Sequence, residues 1–173
     1  MILLAVIFCS FSAFVILENI SWDISNEEYS IKFETKGAKG ILKGLQGNIE
    51  FDTENLPQSN FNIKVEVATL DMGSKGKTKH AKGKNFLEAD KYPYISYQSS
   101  EVTKTNDGFT TKGELTIRNI SKPVEIPFSF AEMDGKGKFE GKFTVVLEDF
   151  DLKMMGVGKE LAIELLVPVQ KGE

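Results

Sequence analysis

The stretch GELTIRNISKPVEIPFSF, Gly113 to Phe130, decides the fold, because its apolar residues recur at every second position on both sides of one short break. Leu115 and Ile117 alternate with Glu114, Thr116 and Arg118. Beyond the break Val124, Ile126, Phe128 and Phe130 alternate with Glu125, Pro127 and Ser129. A period of two sends successive side chains to opposite faces of a strand, so each run has one wet face and one dry face. Asn119 stands at the break, and Asn enters the left-handed backbone region cheaply, so the runs are predicted to form a hairpin turning at Asn119.

The same period extends in both directions. Upstream it carries Tyr29, Ile31 and Phe33, then Phe61, Ile63, Val65 and Val67, then Ile95 and Tyr97. Downstream it carries Phe139, Phe143, Val145 and Leu147, then Leu161, Ile163, Leu165 and Val167. Asp107-Gly108 and Asp134-Gly135 sit between runs as short-hairpin signals, and Gly37–Gly40 and Gly156–Gly158 mark further reversals. With Gly47–Asp52 this gives about eight strands, nearly all joined to their sequence neighbours. The predicted fold is all-β: a single eight-stranded antiparallel up-and-down barrel, with a two-sheet sandwich as the alternative. The exception lies between strands 3 and 4, from Leu70 to Tyr92. There the alternation stops, and a short helix over Lys82–Asp90 would lay Phe86 and Leu87 on the barrel.

Composition narrows the function classes. The chain has 173 residues, 41% apolar and 27% charged, a globular balance that fits one domain. Thirteen Phe against one Trp and four Tyr need a core or a greasy cavity, because Phe has no polar handle. A net charge of −4 disfavours a general nucleic-acid binder. Cys9 is the single cysteine, so neither an intrachain disulfide nor a cysteine-based metal site can form. Ile2 to Leu17 carries no charge, so residues 1–20 are read as an export signal, with a retained membrane anchor as the alternative. Residues 21–173 are then one domain, periplasmic or secreted, or held at the membrane by the anchor.

No catalytic signature survives inspection. Gly76-Lys77-Thr78 ends like a phosphate-binding loop, but the first glycine of that motif is replaced by Asp71, an acid where phosphate would approach. His80 has no nucleophile motif or orienting acid around it, and no metal or other cofactor is expected. Lys75, Lys77, Lys79, Lys82 and Lys84 form a run without an acid. Such a run is ordinarily a solvated loop, yet at a barrel end it suits an anionic head group or a membrane surface. Gly113 and Gly141 fall on the dry faces of their strands. They mark either a barrel corner or room for a ligand.

Four ordered segments resemble the YceI-like family: LQGNIEFD (45–52), HAKGKNFLEADKYPYISYQSSEV (80–102), GELTIRNISKPVEIPF (113–128) and LEDFDL (147–152). In the second, His80, Phe86, Tyr92-Pro93 and Ile95 fall into the family's spacing. In the third, Asn119 replaces the turn glycine. The likeness covers residues 22–169. It implies an exported, lipocalin-like antiparallel barrel enclosing a polyisoprenoid chain. On that reading the function is a non-catalytic carrier of a long apolar lipid, a polyisoprenoid or an isoprenoid quinone. The alternative is an envelope structural or stress-response barrel filled by its own side chains. Candidate lipid contacts on the early strands are Phe33, Ile63, Val65 and Val67, with Phe86 from the intervening loop and Ile95 and Tyr97 after it. The later strands offer Gly113, Leu115 and Ile117, then Phe128 and Phe130, then Gly141, Phe143 and Val145. His80, Lys79 and Lys82 are candidate head-group contacts. The expected partners are an apolar lipid and a membrane surface, without nucleic acid, and monomer and homodimer stay open.

Overall fold

The computed structural model describes residues 20–25, 31–153 and 155–172. Residues 1–19 of the predicted export signal or anchor, and Tyr29 of the first alternating run, lie outside the described residues. Among the described residues every strand pairing is antiparallel. The segments among the described residues are β1 Ser21–Ile24, β2 Ile31–Thr35, β3 Ala38–Leu42, β4 Leu45–Glu50, β5 Asn60–Glu66, β6 Tyr94–Thr105, β7 Gly108–Ile117, β8 Ile120–Met133, β9 Lys136–Val146 and β10 Glu160–Lys171, with one α-helix, α1 Lys75–Lys82. β1 and β2 pair with successive parts of β10, while β4 lies against β1 and β3 against β2. These four segments therefore act as two staves, and with β5 to β10 they make a closed eight-stranded barrel. Closure removes the free sheet edges that a sandwich would leave.

The turns follow the local chemistry, with one exception. Asp134 and Gly135 both take positive φ (53° and 73°), as a tight hairpin turn requires. In the β7–β8 turn it is Arg118, at φ 59°, and not Asn119, that adopts the left-handed conformation. The correction has a tertiary cause. The Arg118 guanidinium lies 3.9 Å from the Glu88 carboxylate and over the Tyr92 ring at 5.6 Å, and this holds a long side chain where the backbone alone would favour Asn.

The helix also moves relative to expectation. It spans Lys75–Lys82, within the lysine run, and Lys82–Asp90 is a series of turns. Gly83 ends the helix in an extended conformation (ψ 169°), and Glu88 at φ 50° prevents another from forming. Phe86 and Leu87 still turn toward the barrel, held by hydrogen bonds from Phe86 N–H to the Gly83 carbonyl and from Leu87 N–H to the Ala81 carbonyl.

The prolines shape the barrel wall. β8 runs alongside β7 from Ile120 to Phe128, but it pairs with β9 only from Phe128 to Met133. Pro123 and Pro127 fall in the part of β8 without a β9 partner, where a missing N–H costs no ladder bond. At this seam the short 3-10 turn Leu147–Phe150 packs beside β8 and buries Leu147 and Phe150.

Candidate functional site

Chain direction assigns each connection to one end of the barrel. The β4–β5, β6–β7 and β8–β9 connections close one end. The β2–β3, β5–β6, β7–β8 and β9–β10 connections, with α1, surround the other, here called the mouth.

The closed end is solid with rings. Phe51, 1% exposed, stands at the centre of an aromatic cluster. Its ring lies 5.1 Å from those of Phe109 and Phe130, 5.4 Å from Phe139 and 5.5 Å from Phe128, all near edge-to-face. That geometry sets the positive ring edge against the negative face of its neighbour. Trp22 packs on Phe130 at 5.0 Å, and its indole N–H donates to the Phe51 carbonyl at 2.9 Å, so the one polar handle is satisfied.

The mouth half is hollow. A cavity of about 480 Å³ opens beneath α1, within the range of roughly 300–1,000 Å³ typical of small-molecule sites. Its wall is apolar and mostly aliphatic, with Leu115 and Ile117 from β7, Val145 from β9 and Leu161, Ile163 and Leu165 from β10, joined by the rings of Phe33, Phe86 and Phe143. Among the described residues, Thr35, Lys77 and His80 bring the only polar side chains to this wall, and no acid does. Hydrocarbon needs no hydrogen-bond partner, so such a lumen costs an apolar guest nothing in unmet polar groups.

Between the two halves lies a narrow waist. Tyr97 Oη and Thr111 Oγ1 hydrogen-bond there at 2.9 Å, both buried. Burial raises the Tyr97 pKa above its ordinary value, with the Thr111 hydrogen bond acting against the shift. Gly113 lies between Phe109 and Leu115 on β7, and Gly141 between Phe139 and Phe143 on β9, opposite Phe128.

The sequence-derived candidates divide accordingly. The structure brings Phe33, Val65, Phe86, Ile95, Leu115, Ile117, Phe143 and Val145 to the cavity wall, with His80 at its mouth. It places Phe128 and Phe130 in the aromatic cluster, while Ile63, Val67 and Tyr97 pack in the core away from the cavity wall. The two glycines need correction. A Cβ at Gly113 would press on the Gln98 carbonyl oxygen and stand 2.8 Å from Tyr97 Cζ, so the space is already taken by the neighbouring strand and ring. At Gly141 it would stand 2.9 Å from the Pro127 carbonyl oxygen and 3.5 Å from Phe128 Cβ. Both glycines permit close approach to a neighbouring strand, and neither lines the cavity. Lys82 also leaves the cavity wall, because its ammonium donates to the Ala68 carbonyl and ties α1 to the end of the β5 stave. Lys79 points to solvent, and Lys77 takes the position at the mouth.

Sequence reasoning missed the β10 face and the loops. Leu161, Ile163 and Leu165 carried the right alternation but no sign that their level of the barrel is hollow. Leu42, Leu70, Met72, Leu152 and Val157 line the cavity from outside the alternating runs, where periodicity is silent. Among the described residues no group of three or more His, Cys, Asp or Glu side chains could hold a metal ion.

A closed antiparallel barrel with an apolar cavity under a loop-and-helix cover is a lipocalin-like architecture. The family model for the YceI-like domain matches residues 22–169, and the chain belongs to that family. Among its relatives, the UPF0312 protein of Photorhabdus laumondii is 29% identical over 140 residues, covering 76% of this chain and 71% of the relative. BcnA of Burkholderia cenocepacia superposes with a TM-score of 0.78 at 21% identity, covering 85% of this chain and 99% of the other. A domain from Saccharophagus degradans, described as polyisoprenoid-binding and implicated in plant cell wall breakdown, superposes with a TM-score of 0.63 at 6% identity, covering 89% and 99%.

Proposed function

We propose that the protein is an exported, non-catalytic carrier that holds the tail of a polyisoprenoid or an isoprenoid quinone in the mouth half of its barrel. The observation that carries this reading is the apolar cavity of about 480 Å³ in a barrel whose other half holds a buried aromatic cluster. The likeness to a domain described as polyisoprenoid-binding supports the choice of guest. Burying a five-carbon isoprene unit contributes about 4 kcal/mol at ~0.8 per carbon, so a few units outweigh the entropy lost on association. Lys77 and His80 at the mouth would meet the polar end of the guest. Export rests on the uncharged run Ile2–Leu17. Among the described residues, no helix is long and apolar enough to cross a membrane.

Native mass spectrometry of the purified protein, followed by solvent extraction, tests the reading. The expected result is an adduct that extracts as a long apolar lipid and falls at least severalfold in the variant Val145→Phe/Leu165→Phe, whose rings would fill the lumen. A barrel that never carries lipid, and that gains stability from those rings, would instead be the structural protein. The aromatic half already shows how such a barrel packs. A fusion of residues 1–25 to a reporter active only outside the cytoplasm tests export, and a silent reporter would refute it.

A further inference from the structure

The two ends of the barrel differ in charge as well as in packing. The connections at the closed end carry Asp52, Glu54, Asp107 and Asp134, with Lys104, Lys136 and Lys171 on the strand ends beside them. At the mouth, α1 and the residue two places beyond it carry Lys75, Lys77, Lys79, Lys82 and Lys84, with no acid between Asp71 and Glu88. Lys75, Lys77, Lys79 and Lys84 are exposed, and none of them is in an ion pair among the described residues. The chain as a whole is acidic, at −4, so this concentration of cations is local.

A second feature lies at the same rim. Met155, in the β9–β10 connection, is fully exposed and borders the cavity opening. Its loop is seated on the β2–β3 turn: Gly158 N–H donates to the Lys36 carbonyl at 2.9 Å, and Gly37 has no Cβ to collide with the Gly156 carbonyl. The acids of this connection do not cancel the lysines. Glu148 is paired with Lys159 at 3.3 Å, while Asp149 and Asp151 are outweighed by the α1 run.

We propose that the mouth is a docking face for an anionic lipid bilayer. The α1 lysines would meet the head groups, Met155 would enter the interfacial layer, and the cavity would open toward the membrane. Charge complementarity selects this occupant. Cations gathered on one end of an acidic protein orient it at a negative surface. A flexible apolar thioether beside them suits shallow insertion. Docking in this sense does not require that the cavity hold a lipid. It goes beyond the carrier reading, and the two fail separately.

The test is co-sedimentation of the full chain with vesicles of phosphatidylcholine containing 30% phosphatidylglycerol, against vesicles of phosphatidylcholine alone. The wild type should prefer the anionic vesicles and lose that preference as salt rises. Lys75→Gln/Lys77→Gln/Lys79→Gln should lower partitioning onto the anionic vesicles on the order of 100-fold, at roughly fivefold per lysine near the surface. Any binding by residues 1–19 would be common to both proteins and both vesicle types. For orientation, Met155→Trp should be quenched by brominated lipid, while Met133→Trp, exposed beside the turn at the opposite end, should not. Equal binding to both vesicle types, an unaffected lysine variant, or quenching of Met133→Trp alone would overturn the proposal. Lipid extracted from a wild type that ignores anionic vesicles would leave the carrier standing and the docking face refuted.

Discussion

Along β9 the dry face runs from Phe139 through Gly141 to Phe143 and Val145, and in those few residues the interior changes from solid to hollow. β7 makes the same passage from Phe109 through Thr111 and Gly113 to Leu115 and Ile117. The closed end and the mouth share staves, ladders and pleat, and they differ in the reach of their side chains. Phenyl rings converge on Phe51 and fill the closed end edge to face, whereas Leu, Ile and Val predominate around the cavity and its few rings, Phe33, Phe86 and Phe143, stand on the wall. The ring cluster makes one half a core, and the mainly aliphatic wall makes the other half a receptacle.

Truncation should separate the halves most sharply. Phe51→Ala would open a void where several rings meet and should cost about 3–5 kcal/mol. Leu165→Ala borders space that is already empty and should cost about 1 kcal/mol, mostly lost transfer energy. Urea melts of both variants would check the contrast, and equal losses would erase it. The next effect belongs to the waist. Gly113→Ala forces a methyl against the Gln98 carbonyl and the Tyr97 ring and should destabilise by about 1–3 kcal/mol without changing the cavity wall. If it instead displaced bound lipid at unchanged stability, Gly113 would belong to the lumen.

The smallest effect is at the hydrogen bond between the halves. Tyr97→Phe strands the buried Thr111 hydroxyl and should cost about 1 kcal/mol at neutral pH. Its pH signature is more telling. Burial raises the Tyr97 pKa in the folded state, so the unfolded chain ionises first and wild-type stability is lost as pH rises past about 10. The Phe variant lacks that loss, and the two stability curves should converge at high pH. Parallel curves up to pH 11 would show that Tyr97 is not held in its neutral form.

The fold was legible in the sequence because it is written in a local code. Alternation such as Val124, Ile126, Phe128 and Phe130 assigns a face to each residue, and a meander of such strands leaves few closed arrangements. The ordered segments from Leu45 to Leu152 placed the chain beside the YceI-like family for the same reason, since motif spacing is a property of one dimension. What sequence could not show was the level at which each dry residue stands. That depends on register between distant staves: Leu165 opposite Gly141, Phe130 opposite Phe139, and the bulge between Ser99 and Glu101 that shifts β6 against β7. Only this stacking of levels gathers the rings at one end and leaves the other hollow. It also turns Gly113 and Gly141 from room for a guest into close contacts, moves the positive φ from Asn119 to Arg118, and sets α1 and Met155 on one rim. A period records which way a side chain points, and the closed barrel alone determines what it meets.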